Sequence, residues 1–510
     1  MITVKLNEPN FEYDIHSLVK AFYPGEDVYV SDRDCRKTDP VSFRMTVTYE
    51  HADEDASQEF PGSIRFAFHA GASGEETELS GSTAVNFSDR KETKNRLKQK
   101  LYELLCAYSG RTLPWGTLTG IRPTKIPLQM MEEGRSEARI RSYMKEKYFA
   151  SEEKIGLAIE VARKEEELLA DMDYANGYSL YIGIPFCPTT CAYCSFTSYP
   201  LTRWADQVDR YLDCLEKEMD FTAQAVTGHH LDTIYIGGGT PTTLTPEQSD
   251  RLLTKIEQTF DLSHVREFCV EGGRPDSITR EKLAVLKQHS VTRISINPQT
   301  MKQETLDLIG RRHTVQQTRE AFALAREMGF DDINMDLIVG LPGETIDDVR
   351  ATMEEMKAMK PDNLTVHSLA IKRAARLRIQ EEDYRGFRSD NTWETIRLTA
   401  DACREMGLEP YYLYRQKNMA GNFENVGYAR RGCEGLYNIL IMEEKQTIMA
   451  LGAGASTKFV LPNTAQVRRQ TGASARIERV ENVKDITNYL ERIDEMIERK
   501  RRKMEELGWH

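Results

Sequence analysis

Three cysteines lie close together in the segment Ile184-Pro-Phe-Cys187-Pro-Thr-Thr-Cys191-Ala-Tyr-Cys194-Ser-Phe196. Their spacing is C-x3-C-x2-C, on a segment that leaves a strand-like apolar run. Three thiolates on one short loop can hold three corners of a cubane [4Fe–4S] cluster and leave the fourth iron without a protein ligand. An open iron of that kind can chelate a small molecule and pass it an electron. A zinc site would ask for a fourth ligand close by, and a simple electron-carrying centre for a fourth Cys. Between residues 181 and 200 there is no His, no Asp and no further Cys. The remaining Cys, at 35, 106, 214, 269, 403 and 433, are scattered singly and read as small buried apolar groups. Nine Cys in 510 residues is an odd and dilute count, which fits a reducing compartment rather than a disulfide scaffold.

Two further segments carry chemistry. Gly237-Gly-Gly239-Thr240-Pro241-Thr242 follows an apolar run. Glycines there let a ligand approach the backbone, whose amides and carbonyls can meet a charged amino acid moiety; a tight turn explains the triplet equally well. Asp336 sits in the middle of the apolar run Asn334-Met-Asp-Leu-Ile-Val-Gly-Leu-Pro342. A carboxylate in such a run is expensive to bury without a partner.

These residues need elements to position them. Strand-length apolar runs recur at 179–185, 233–239, 267–273, 293–299, 333–340 and 363–370, with amphipathic helical stretches between them at 203–226, 246–260, 314–329 and 345–359. Thr245-Pro-Glu-Gln248 reads as a helix start with a capping box. Strand-then-helix units in series predict a parallel sheet with outer helices, curled by right-handed crossovers into a partial (β/α)6 barrel or left open and doubly wound. In both cases ligands belong at the C-terminal ends of the strands. There lie the Cys loop, the Gly run, Glu271 in the third strand, Gln299 ending the fourth and Asp336 in the fifth.

The flanks read differently. Residues 1–172 form an α+β accessory domain, with alternating strands at Phe43–Tyr49 and Ile64–His69, a polar loop at 51–62, and a helix at 88–108 that puts Leu97, Leu101, Leu104 and Leu105 on one face. The loop Gly116–Pro123 carries Arg122, a surface cation or an anion contact. Residues 173–380 make the α/β core, and 381–510 a C-terminal extension with strands at 411–414 and 447–451. The second of these leads into Gly452-Ala-Gly-Ala-Ser456. The stretch 478–507 predicts one charged amphipathic helix. Its run Lys500-Arg-Arg-Lys503 either complements the helix dipole or meets an acidic partner.

Composition narrows the class. Apolar residues make up 40% and charged residues 29%, an ordinary globular mix, and the formal charge is −12. That balance argues against a protein built to coat nucleic acid or anionic membrane. No apolar run reaches the ~18 residues of a membrane span, and the first twenty residues lack the apolar core of a signal peptide. The chain reads as cytoplasmic.

The Cys loop in its strand-first context resembles the radical S-adenosylmethionine (SAM) superfamily. Within it, SLYIGIPFC, the GGGTPT run, Gly310-Arg-Arg-His-Thr314, NMDLIVGLPGET and ALGAGAS resemble the oxygen-independent coproporphyrinogen III oxidase group over about 175–460. The N-terminal GTLTGIRPTKIP resembles its HemZ-type branch. The resemblance implies a [4Fe–4S] cluster on Cys187, Cys191 and Cys194, whose open iron chelates SAM and cleaves it to a 5′-deoxyadenosyl radical. It implies SAM contacts from Tyr181, Phe196, Gly238, Gly239, Thr240, Glu271, Gln299, Arg311, Asp336 and Ala370, with Arg311 on the SAM carboxylate. The implied reaction is oxidative decarboxylation of two propionates of coproporphyrinogen III to vinyls, giving protoporphyrinogen IX, with a flavodoxin or ferredoxin as electron donor.

A substrate with four propionates needs cationic anchors. Lys372, Arg373, Arg376 and Arg378 after the sixth strand, and Arg415 and Lys417 after the next, are candidates; an exposed basic face would look the same. One feature points elsewhere in the superfamily and a second points back. The better-known oxidases carry Cys-x-Cys after the motif, whereas Cys194-Ser-Phe196 resembles the heme-chaperone branch. Yet the His-Asn-x-x-Tyr-Trp signature of that branch is replaced by Gly435-Leu-Tyr-Asn-Ile-Leu-Ile-Met442. A heme chaperone and a heme-directed radical SAM methyltransferase are therefore the alternatives.

Overall fold

The structure, a computed structural model, describes residues 1–33, 41–51, 59–70, 77–120, 122–370, 391–416, 423–462 and 475–509. They divide into two units, 1–163 with 413–424 and 164–412 with 425–510.

The first unit begins with β1 (Ile2–Leu6), α1 (Glu12–Phe22), β2 (Val28–Ser31), β3 (Phe43–Glu50), β4 (Gly62–Ala70), β5 (Thr77–Val85) and α2 (Arg90–Ser109). Its sheet runs β2-β1-β3-β4-β5. Strand β3 buries alternate residues, as a strand covered on one face must. Phe43, Met45, Val47 and Tyr49 join Leu97, Leu101, Leu104 and Leu105 of α2 in one core. Asp89 caps α2 by accepting the Glu92 N–H at 2.9 Å. The sequence reading anticipated β3, β4 and α2 but not β5, whose TELSGSTAV offers too few apolar residues to alternate. Helices α3 (Lys125–Glu132), α4 (Glu137–Tyr148) and α5 (Glu152–Leu169) follow. The predicted loop at 51–62 falls mostly outside the described residues.

The second unit opens with β6 (Gly177–Ile184), the two-residue strands β7 (Phe186–Cys187) and β8 (Tyr199–Pro200), α6 (Leu201–Trp204) and α7 (Val208–Ala225). Then strands and helices alternate: β9 (His230–Gly238), α8 (Pro246–Thr259), β10 (Glu267–Gly273), α9 (Arg280–Gln288), β11 (Arg293–Ile296), α10 (Gln303–Leu308), α11 (Val315–Glu327), β12 (Ile333–Val339), α12 (Ile346–Met359) and β13 (Asn363–Ser368). Strands β6 and β9 to β13 are neighbours in that order and all parallel, the partial (β/α)6 barrel that the strand–helix rhythm predicts. Thr245, Thr314 and Thr345 each close a capping box at the start of α8, α11 and α12.

The sheet continues on both sides. After α13 (Trp393–Glu405) come β14 (Glu409–Tyr414) and β15 (Asn425–Ala429), and β15 pairs antiparallel with β13. After α14 (Leu436–Glu443), β16 (Thr447–Leu451) adds parallel to β6, followed by β17 (Ser456–Pro462) and β18 (Ala475–Glu481). Two helices close the chain, α15 (Ile486–Glu491) and α16 (Ile493–Leu507).

The tail corrects the sequence reading. Residues 478–481 belong to β18, the last strand of the sheet, where a charged sequence protects an open edge. Asp485 then caps a new helix by accepting the Asn488 N–H. Lys500 is not a surface charge. It is fully buried and donates to Glu218 of α7 at 2.9 Å and to the Ala450 carbonyl at 2.9 Å. The Glu218 carboxylate also accepts from Tyr489, Asn482 and the Gly452 N–H. A buried ion pair is tolerated when its remaining hydrogen bonds are met, and here they fasten the Gly452–Ala455 loop.

Candidate active site

The cysteine loop springs from the end of β6. The parallel bridge of β7 with β8 pinches it closed, pairing Phe186 with Tyr199 and Cys187 with Pro200. Cys187 is buried; Cys191 and Cys194 are half-buried. Between the pinch points the loop is stapled to its neighbours. The Ala192 N–H reaches the Ile309 carbonyl at 2.9 Å, and the Thr189 hydroxyl the Gly310 carbonyl at 3.3 Å. Arg311 Nη1 donates to the Tyr193 hydroxyl at 2.8 Å, and Arg274 Nη1 donates to Thr189 Oγ1. The Thr240 hydroxyl lies 3.5 Å from Cys187 Sγ. Burial pushes the Cys187 thiol up to about 11, against the pull of Thr240 and the Arg274 charge; Cys191 and Cys194 push it the same way as burial does, so the sulfurs sense one another.

Beside the loop, the side chains at alternate positions of the parallel strands face one another. By strand register and alternation, that face carries Tyr181 beside Tyr235, Glu271 beside Ser295, Ser295 beside Asn334, and Asp336 beside Thr365, with His367 two residues further on. The Tyr235 hydroxyl donates to Glu271 Oε1. Asn334 Nδ2 donates to Asp336 at 2.9 Å, and the Thr365 hydroxyl to Asn334 at 3.3 Å. His367 Nε2 stands 3.9 Å from Asp336. The rings of Tyr181, Tyr235 and Tyr437 stack, with centroids 4.5 Å apart for the last two. Burial, with the nearby Asp336 charge, raises the Glu271 carboxyl to about 7, although the Tyr235 hydrogen bond opposes it. Burial acts on Asp336 too, but His367, Asn334 and Thr365 outweigh it and hold that carboxyl below its usual value. Two like carboxyls thus sit in one lumen with opposite shifts.

Several buried polar atoms here have no partner: Ser295 Oγ, Asn297 Oδ1, Gln299 Oε1 and Arg311 Nε. Such atoms are costly unless something meets them. Gln299 is also strained. Its φ is 70°, a region that favours glycine, and it is held there by its own N–H on Asp336 O and its carbonyl on Ile338 N, both 2.9 Å.

The other expected positions are distributed as follows. Arg311 is buried and Arg312 exposed, so the inward guanidinium belongs to the first of the pair. Arg311 also donates to the carbonyls of Asn297 at 2.7 Å and Gly273 at 3.3 Å, leaving Nε. A Cβ on Gly239 would lie 2.6 Å from the Phe186 carbonyl, so glycine there serves the approach of the cysteine strand. Gly238 holds φ 108°. Phe196 is 71% exposed, and Ala370 is half-buried after β13. Arg415 lies within the first unit and is buried, donating to the carbonyls of Leu118 at 2.5 Å and Phe423 at 3.4 Å; burial lowers it to about 10. Lys372, Arg373, Arg376, Arg378 and Lys417 fall outside the described residues. The sequence reading did not single out Tyr193, Tyr235, Arg274, Asn297, His367 or Tyr437. A signal existed for some of them: polar residues at every second position of otherwise apolar strands mark the lumen face.

The sequence profile of the Radical SAM superfamily matches residues 181–356. The chain is 41% identical over 421 residues to the oxygen-independent coproporphyrinogen-III oxidase-like protein HemZ of Bacillus subtilis, covering 82% of each. It is 34% identical to the heme chaperone HemW of the same organism, over 54% of this chain and 70% of HemW. It is also 34% identical to the oxygen-independent coproporphyrinogen III oxidase of Escherichia coli, over 38% of this chain and 42% of that protein. The chain therefore belongs to the radical SAM superfamily and, within it, to the oxygen-independent coproporphyrinogen-III oxidase-like proteins of the HemZ type.

Its cofactors are a [4Fe–4S] cluster and SAM. The site fits both. Three thiols share one pinched loop, Cys187 buried and Cys191 and Cys194 half-buried, a donor set suited to three irons of a cubane. The unpartnered Ser295, Asn297, Gln299 and Arg311 atoms, with two carboxyls beside them, suit a polar ligand that carries amine, carboxylate and hydroxyl groups.

Proposed function

We propose that the protein is a radical SAM enzyme that decarboxylates two propionates of coproporphyrinogen III to vinyls, giving protoporphyrinogen IX in the cytoplasm. The observation that carries the reading is the set of unpartnered polar atoms in the lumen next to the cysteine loop. The substrate class is supported by the names of the HemZ and coproporphyrinogen oxidase relatives. We assign Cys187, Cys191 and Cys194 as the cluster ligands, and residues 1–172, 173–380 and 381–510 as accessory domain, core and C-terminal extension. When bound, the cluster and SAM supply a one-electron reductive cleavage that yields a 5′-deoxyadenosyl radical.

The chain's residues position that chemistry. Glu271, raised to about 7 by burial, would ionise against the SAM ammonium. Asp336, already charged, takes the ribose hydroxyls. Arg311 Nε, the one atom of its guanidinium without a partner, donates to the SAM carboxylate, and Gln299 Oε1 accepts from an adenosyl donor. Tyr181, Tyr235 and Tyr437 form the aromatic floor. Each propionate would then give up a β-hydrogen atom to the radical, followed by CO2 and one electron, the electron passing to a one-electron acceptor supplied from outside the chain. A flavodoxin or ferredoxin supplies the reducing electron.

A heme chaperone on the same scaffold is the second reading, supported by the HemW relative and by Ser195 after the third Cys. Anaerobic incubation of reconstituted protein with SAM, reductant and coproporphyrinogen III separates them. The expected result is 5′-deoxyadenosine with a tetrapyrrole lighter by two formic-acid equivalents. Stoichiometric heme binding without turnover would favour the chaperone. S-adenosylhomocysteine with a methylated tetrapyrrole would favour a methyltransferase.

A further inference from the structure

The cysteine loop is gripped on two sides. Arg311 holds its second half through Tyr193. The other grip belongs to Arg274, which lies just beyond the end of β10. The β10–β11 ladder shifts register between Glu271 and Gly273, and Gly273 turns with φ 61°. That irregularity swings the next residue out of the sheet and toward the loop. The Arg274 side chain is almost wholly buried. Its Nε and Nη2 are fixed by Asp276, at 2.9 and 2.6 Å. Nη1 is left for Thr189, on its hydroxyl and, at 3.4 Å, on its carbonyl.

We propose that Arg274 is a positioning residue for the iron–sulfur cluster, holding the loop between Cys187 and Cys191 through Thr189 and presenting a fixed positive charge to the sulfurs. Thr189 needs only a hydrogen-bond donor, and a neutral amide would serve. Burying a guanidinium instead is expensive, and Asp276 compensates it from the far side. The pair is then an oriented dipole with its positive end on the loop. Thr189, which receives Nη1, stands two residues from Cys187 and two from Cys191, so the charge is delivered to the ligand loop itself. Net charge and hydrogen bonding around the sulfurs are the levers that set the potential of a cluster. A cation beside it favours the reduced, more negative state, so Arg274 makes the cluster easier to reduce.

The inference rests on Cys187, Cys191 and Cys194 as ligands, but not on which tetrapyrrole is the substrate. Its test uses the reconstituted full-length chain without SAM. Iron content, the cluster midpoint by EPR-monitored redox titration, and the rate of iron loss to a chelator are measured for wild type, R274M, R274K and T189V. R274M is expected to bind iron, to have a more negative midpoint, and to lose iron several-fold faster. R274K keeps the charge, so its midpoint stays near wild type. T189V keeps the charge and loses both hydroxyl bonds, the one from Arg274 and the one to Gly310, so its iron is lost faster at an unchanged midpoint. Wild-type midpoint and chelation rate in R274M would overturn the proposal. If R274M does not fold, a wild-type chelation rate in T189V overturns it. Failure of wild type itself to bind iron would instead strike the ligand assignment.

Discussion

The inward side chains of β3 and β4 in the first unit are Phe43, Met45, Val47, Tyr49, Ile64, Phe66 and Phe68, all buried in one apolar core. The lumen face of the second unit carries Tyr235, Glu271, Ser295, Asn334, Asp336, Thr365 and His367 instead. Both sets are strand residues at alternate positions, but the physics differs. In the first sheet every inward residue gains by leaving water, at about 25 cal/mol per Å² of apolar surface. In the second, burial costs free energy that internal hydrogen bonds offset only in part, as the unpartnered Ser295, Asn297 and Gln299 atoms show. A core that is complete serves the fold, whereas a core left unsatisfied is organised for what it will bind.

The largest break in that comparison comes from the cysteines. Replacing Cys187, Cys191 and Cys194 together with Ala should abolish the iron content and the brown absorbance after anaerobic reconstitution. Far-UV circular dichroism should change little, because Cys187 is the one buried residue of the three and loses a single sulfur. A fully loaded cluster in the triple variant would contradict the ligand assignment.

Next come two single changes with opposite signatures. Phe66 is fully buried, and Phe66→Ala should cost about 3–5 kcal/mol of stability while SAM affinity stays at the wild-type value. Asp336→Asn should lower the denaturation midpoint much less than Phe66→Ala does, since it removes only the extra stabilisation that His367, Asn334 and Thr365 give the charged form. It should weaken SAM binding by tenfold or more, since a hydrogen bond to a charged group is worth about 1.5–3 kcal/mol. Calorimetric titration of SAM and urea denaturation of both variants check this. If Asp336→Asn destabilises the fold as much as Phe66→Ala and spares affinity, the lumen is a structural core after all.

The same contrast explains what could be read from the sequence. The parallel strands and their helices were legible because apolar runs alternate with amphipathic stretches, and the capping boxes at Thr245, Thr314 and Thr345 mark helix starts in the letters themselves. The cysteine loop was legible because its ligands are adjacent in the chain. Tyr437 was not, since it reaches the lumen from α14, far along the chain from the Tyr235 it stacks on. Arg274 was hidden because its role depends on a register shift that the residues Gly-Gly-Arg-Pro do not announce. The tail was misread because a charged edge strand and a charged helix share a composition; the pairing with β17 decides between them.

The smallest expected effect is also the most specific to the polar core. Glu271 is held at about 7 in the folded chain, against 4.5 ordinarily, chiefly by burial. The folded state therefore binds this proton more tightly than the unfolded state does. The resulting stability is fully present below the unfolded value near 4.5 and is lost as pH rises through about 7. Glu267 and Glu344 are raised to about 7 as well, so the wild-type curve alone is a sum. The difference between wild type and Glu271→Gln isolates one carboxyl, because the amide does not titrate. Thermal midpoints of the two chains without SAM, compared from pH 5 to 8, should diverge with rising pH in favour of the variant. A difference that stays flat across that range would mean that Glu271 is already ionised in the empty lumen, and that the polar core is better satisfied than its unpartnered atoms imply.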